Sequence, residues 1–246
     1  MDDSAPAVPA GFWRRAIALV IDWAICSLIL ACVAVLLFAA TGGRLQFIPN
    51  PVPAWCQDVD PIPSELRLPA DFVPNVAKSC IYTLFGLPAA HVLTLTQRTV
   101  EGNFTTNVNM KLTVDADGMA WGGGVKKGPT EELLILFRLL FDTFGRSPGR
   151  RVCGIAIVER GSGRRAPFSS LWKRYLLFSI PIGLGYLYVM SGSQPVLFSN
   201  LSASFIGFGL VPLGIFVALS VWNVVWIVRR QPAYYDRPVG TSVERR

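Results

Sequence analysis

The sequence predicts an all-α transmembrane bundle of about four spans that carries a small extracytoplasmic β-containing insertion. Three observations lead there. The 246 residues are 52% hydrophobic and only 16% charged, whereas a soluble domain has roughly 25% charged residues. Ala16 to Ala40 is an almost unbroken apolar run, and Tyr175 to Val228 contains no Asp, Glu, Lys, Arg or His, which is room for two helices at about 20 residues per span. The basic residues lie beside the apolar runs and not on a domain of their own. The formal net charge of +7 therefore follows membrane topology, and nucleic acid is not an expected partner.

The first span, Ala16 to Ala40, is longer than the apolar core of a signal peptide. It contains Asp22 and ends without a small-x-small cleavage site, so it reads as a retained helix. Residues 41–128 follow as a polar insertion. Its first half, from Pro49 to Pro74, is too rich in proline for long helices or central strands. Its second half alternates with period two over His91–Thr96 and Asn107–Val114, with turns at 101–103 and Asp115–Gly118, which predicts a small antiparallel β unit.

Residues 129–246 hold the other three spans. Pro129 to Ser147 would reach about 28 Å as a helix, close to the thickness of the hydrocarbon core. Arg138 and Asp142 inside it are spaced i, i+4 and so placed to pair on one face. Val152–Glu159 reads as a strand in an inner loop, Ser169 or Ser170 as the N-cap of a third span over Leu171–Met190, and Ser204–Val228 as a fourth. Gly183, Gly185, Gly207, Gly209 and Gly214 read as points of close helix approach.

Loop charges orient the bundle. Arg146 to Arg174 holds eight basic residues and one acid, while Thr41 to Glu132 holds seven basic and nine acidic residues. The basic loop and the C-terminal tail then lie in the cytoplasm and the insertion outside, a multi-pass arrangement in a cell membrane with both termini cytoplasmic.

Several segments resemble one family. Gly11-Phe12-Trp13-Arg14-Arg15, continuing to Ile21-Asp22, resembles the opening of RDD family membrane proteins, named for one arginine and two aspartates. Gly145-Arg146-Ser147-Pro148-Gly149-Arg150-Arg151-Val152 resembles that family's central basic turn entering a strand. Lys173-Arg174 falls where the family often has an arginine, and Tyr235-Asp236-Arg237-Pro238 resembles its closing motif. The resemblance covers both ends and the middle of the chain, but not the 41–128 insertion. It implies that Arg15, Asp22 and Asp236 are the signature positions. It also implies transport of an unidentified ligand, with cation/proton exchange attributed to some members.

Two functions are open at this point. In the first, Asp22 binds a monovalent cation or proton and Arg15 and Asp236 gate its cytoplasmic side. Four spans are few for a monomeric transporter, so that reading implies a homo-oligomer. In the second, the chain is a non-transporting membrane factor that binds a protein or lipid through its outer loop or basic inner face, and the buried charges hold the bundle together. A carboxylate within a span is a functional-site candidate, yet Asp22 could equally pair with Arg138 as a structural group. Asp236 reads as a latch accepting hydrogen bonds from Arg15 or the inner loop. Arg150, Arg151 and Arg174 read as topology anchors or as ligands for anionic lipid.

Cys56 and Cys80 both fall in the insertion, on the oxidising side, where a bridge closing about 25 residues contributes roughly 3 kcal/mol. Cys26, Cys32 and Cys153 read as small apolar fillers. No phosphate loop, nucleophile elbow or zinc-protease motif occurs, so neither an enzyme, a metal site nor a cofactor is expected. His91, the single histidine, reads as a surface residue at the start of a strand.

Overall fold

In the computed structural model, residues 8–62, 66, 68–69, 71–102, 104–124, 128–192 and 211–245 are described. They form five helices and seven strands, grouped in two compact units. One comprises Met1–Trp23 with Glu132–Arg246, the other Ala24–Glu131. The expected all-α bundle of four spans is thus corrected. Seven strands in a five-stranded and a two-stranded sheet carry much of the chain. Among the described residues α1 (Phe12–Thr41) alone has the length and apolar content to cross a membrane.

The physical reason for the error lies in the second span. Helix α2 covers only Thr130–Phe144, 15 residues, or about 22 Å at the helical rise, well short of the roughly 30 Å core. Gly145 ends it, and Pro148–Val152 forms a separate short helix, α3, with proline in its first turn. The proposed fourth span is α5, Val211–Val228, 18 residues; residues 204–210, with Gly207 and Gly209, lie outside those described. Helix α4 covers Phe168–Gly192 and begins directly after Pro167. Ser169 and Ser170 are therefore inside the helix and not its N-cap.

The Ala24–Glu131 unit is built on an antiparallel sheet in the order β1 (Ala54–Asp58), β2 (Val76–Leu84), β3 (Leu87–Glu101), β4 (Phe104–Val114), β5 (Ala120–Gly124). The alternation over His91–Thr96 and Asn107–Val114 becomes the long β3–β4 hairpin, in which Leu95 faces Met110 and Leu93 faces Leu112. Alternate residues turn inward, and Ala77, Leu93, Leu95 and Val114 close on Phe72 to form this unit's core. β1, inside the proline-rich half, is short and at the edge, where missing N–H donors cost least.

Gln46 clasps this unit. Its amide nitrogen donates to the carbonyls of Gly43 and Val114, both at 2.8 Å, and its oxygen accepts from the His91 N–H at 2.6 Å. His91 is half-buried, and its Nε2 lies 2.7 Å from Ser79 Oγ. It is therefore not a free surface group. Burial pushes its imidazole below the usual value of 6.5, against an opposing contribution from Asp115.

In the other unit β6 (Ile155–Glu159) pairs antiparallel with β7 (Thr241–Arg245), Ile157 opposite Val243. The Ala10 N–H donates to the Val243 carbonyl at 2.8 Å, bringing the start of α1 to the end of the chain. Ile155, Ile157 and Val243 pack with Ala18, Leu139, Leu171 and Tyr175 as the core.

Cys56 and Cys80 are cross-strand partners of β1 and β2, Cα atoms 4.1 Å apart, and are joined by a disulfide. Intact-mass analysis of non-reduced protein is expected to show no alkylation at either position. Cys80→Ala should lower stability by about 3 kcal/mol, read as an earlier denaturant midpoint; free thiols in quenched samples would remove the bridge.

His91 sets a pH dependence. Because its folded pKa lies below the unfolded one, the unfolded chain takes up the proton more readily. The stability His91 contributes is full above about pH 6.5 and is lost as pH falls through the folded value. Replacement by Gln should flatten that acid-side loss in melting curves recorded as a function of pH.

Candidate functional site

Three carboxylates that the chain's own composition makes expensive to bury lie in the unit containing both termini. Asp22 and Asp236 are fully inaccessible, and Asp142 is buried as well. Each is matched by arginine. A buried carboxylate left unmatched would cost several kcal/mol, so the matching governs how the elements pack.

Asp22, near the middle of the first half of α1, is held from three sides. Ser147 Oγ donates to its Oδ2 at 2.7 Å, the Gly149 N–H donates to its Oδ1 at 2.8 Å, and Arg138 Nε stands 3.0 Å from Oδ2. The Ser147-Pro148-Gly149 turn supplies two of those groups: Ser147 is the N-cap of α3, and the Gly149 N–H, in its first turn, has no partner within the helix. Gly149 also allows the approach. A Cβ built there would fall 2.1 Å from the Ala18 carbonyl oxygen and 2.9 Å from Asp22 Oδ1.

Arg138 and Asp142, expected to pair along α2, take other partners. Arg138 reaches Asp22, while Asp142 accepts from Arg150 Nη1 and from the Tyr175 hydroxyl, both very short contacts. Arg150 Nη2 also bonds Tyr175 at 3.1 Å. Burial disfavours the Arg150 charge, but Tyr175 and Asp142 more than offset this and raise its pKa. Arg165 donates to the Asp142 carbonyl at 2.6 Å.

Asp236 sits in the turn before β7. Arg174 Nε donates to its Oδ1 at 2.5 Å, Thr241 Oγ1 donates to the same oxygen at 3.0 Å, and Arg15 Nη1 lies 3.7 Å from Oδ2. Arg15 is oriented by bonds to the carbonyls of Ala10 and Val243 at 3.0 and 3.3 Å. Arg174 stacks over the Tyr235 ring at 5.1 Å. Tyr234 donates to the Leu177 carbonyl at 2.8 Å, and burial beside Tyr235 pushes its phenol well above the usual range, which keeps that donor protonated.

The structure thus gathers Arg15, Asp22, Arg138, Asp142, Arg150, Arg174 and Asp236 into one unit. It leaves Arg151 exposed on a separate open cavity of about 350 Å³ with Arg146 and Arg165. Arg150 and Arg174, read as topology anchors or ligands for anionic lipid, are buried and paired with Asp142 and Asp236. Ser147, Gly149, Tyr175 and Thr241 complete the network. Ser147 and Gly149 lie in the segment that resembles the family's central basic turn, but that resemblance assigned them no role. Among the described residues no group of three or more His, Cys, Asp or Glu side chains could hold a metal.

No family model, curated protein or solved structure matches the chain.

Gly149→Ala tests the central contact. The added methyl cannot share space with the Ala18 carbonyl, so α3 must move off α1 and Asp22 loses its backbone donor. A loss of about 3 kcal/mol or more is expected, seen as a lowered melting temperature, whereas Gly161→Ala, at an open turn, should cost about 1 kcal/mol from its backbone angle alone.

Proposed function

We propose that this chain is a non-transporting membrane factor of RDD type, which acts by binding a partner through its basic face, and whose buried acids hold the fold. The observation that carries this reading is the enclosure of Asp22. A cation or proton site needs a carboxylate with an exit to water or room for the incoming ion. Each Asp22 oxygen already accepts a hydrogen bond, Oδ2 from Ser147 and Oδ1 from Gly149, Arg138 stands 3.0 Å away as counter-charge, and the group is fully inaccessible.

Membrane association is supported by exposed apolar surface. Trp13, Ile17, Val20, Leu28 and Leu36 on α1 and Val221, Trp222 and Val228 on α5 are all open. Exposed large apolar residues recurring along a helix are a mark of lipid or protein contact. Membership of the RDD family is supported by the four motif segments, and the three signature positions Arg15, Asp22 and Asp236 all lie in the buried charge network.

The experiment is flux through the purified full chain in sealed vesicles, with proton and sodium measured for wild type and Asp22→Asn. The expected result is no flux above empty vesicles for either protein. Asp22→Asn should instead lose about 3–5 kcal/mol of stability, because Arg138 is left buried without its counter-charge. Combining it with Arg138→Gln should restore part of that loss. Robust flux in wild type that vanishes in a normally folded Asp22→Asn would sink the proposal and return the exchanger reading.

A further inference from the structure

The charge network does not balance. Four guanidinium groups, Arg15, Arg138, Arg150 and Arg174, meet three carboxylates, and all four line one cavity of about 260 Å³ to which none of the carboxylates contributes. Three of the arginines are buried outright and the fourth nearly so. An uncompensated positive charge in such a place costs several kcal/mol, so the cavity is electrostatically incomplete as it stands.

The unmade hydrogen bonds point the same way. Arg15 Nη1 is buried with no hydrogen-bond partner, 3.7 Å from Asp236 Oδ2, which likewise accepts none, and Arg138 Nε, although near Asp22, makes no aligned bond. Asn223, on α5 at the cavity wall, has a buried side-chain oxygen that is also without a partner. Buried donors and acceptors of this kind are normally satisfied. Four guanidinium groups against three carboxylates, beside an uncharged acceptor on the cavity wall, call for a ligand that is an oxyanion and also bears a hydroxyl. Apart from Tyr235, the other walls, including Leu19, Phe178 and Ile227, are apolar.

We propose that this cavity is a binding site for a phosphate oxyanion, with arginine N–H groups as donors to its oxygens and Asn223 as acceptor for a hydroxyl on the same ligand. Arginine suits the task because its planar fork stays charged when buried and bonds phosphate through two N–H groups at once. The ligand is either free phosphate or the phosphate of a lipid headgroup. The inference names a ligand class for the proposed partner-binding function, and it rests on that reading only in holding that the ligand stays bound and does not cross.

The test uses the full chain in a zwitterionic detergent. Melting temperature is followed against inorganic phosphate, with chloride at equal ionic strength as control. Flotation is followed with vesicles containing either phosphatidylglycerol or phosphatidylcholine alone. Two variants probe the site without touching an arginine: Ala16→Leu, which fills the cavity from α1, and Asn223→Leu, which removes the acceptor.

A phosphate-dependent rise in melting temperature, weakened about tenfold in midpoint by each variant, supports the site with free phosphate as ligand. Selective flotation with phosphatidylglycerol, lost in both variants, supports it with lipid as ligand. Equal responses to phosphate and chloride together with equal flotation on both vesicles would overturn the proposal. So would phosphate or lipid binding that both folded variants retain in full, since that assigns it to exposed basic residues. Labelled phosphate appearing inside vesicles, blocked by Ala16→Leu, would support the site while overturning the non-transporting function.

Discussion

Neutralising three buried carboxylates is the constraint from which the architecture of the unit holding both termini follows. Asp22 ties α1 to α2 through Arg138 and to the turn before α3 through Ser147 and Gly149. Asp142 ties α2 to α3 through Arg150 and to α4 through Tyr175. Asp236 ties the C-terminal turn to α4 through Arg174 and to α1 through Arg15. None of α1, α2, α3 and α4 could be displaced without leaving a buried charge unmatched, and removing one partner of a buried pair typically costs 3–5 kcal/mol. Apolar packing around Ile155, Ile157 and Leu171 supplies driving force but little direction; the charges supply direction.

A network of this kind also limits what the acids can do. Asp22 accepts a hydroxyl and a backbone N–H and faces a guanidinium counter-charge, so a cation reaching it would have to displace Arg138 in a place closed to water. Ser147 is the N-cap of α3 and Gly149 lies in its first turn, so moving α3 removes both donors together. Transport through Asp22 would require α3 to detach from α1, with Arg138 finding another counter-charge during the same motion. Asp142 is the nearest candidate along α2, and it is already held by Arg150 and Tyr175. Stability and exchange would thus compete at this position, which is the basis of the non-transporting proposal.

What the sequence could announce was local. The apolar run of α1, the alternation behind β3 and β4 and the two cysteines of the insertion are all patterns visible within a few tens of residues. β2 and β7 were not foreseen, since neither Val76–Leu84 nor Thr241–Arg245 alternates cleanly; each is defined by its partner strand. The misjudged length of α2 has a similar cause. Hydropathy carried the helix through Gly145 to Ser147, whereas the turn there is shaped by the need to serve Asp22, 125 residues away.

Partner choice among the charges was equally hidden. An i, i+4 pair on one helix is worth about 0.2–0.5 kcal/mol, far less than satisfying a buried carboxylate from another element. Arg138 and Asp142 therefore abandon each other for Asp22 and Arg150. The family resemblance picked out Arg15, Asp22 and Asp236, but it offered no reason for them to lie in one network. The reason lies in residues without signature status. Arg138 answers Asp22, Arg174 answers Asp236, and Arg150 answers Asp142, which leaves Arg15 as the one cation whose carboxylate already has a closer partner. Its guanidinium is fixed by two backbone carbonyls, and its remaining nitrogen, Nη1, stands 3.7 Å from Asp236 Oδ2 without a hydrogen bond. Arg15 therefore makes the loosest of the ion pairs in the network, at the wall of a cavity that three other arginines share.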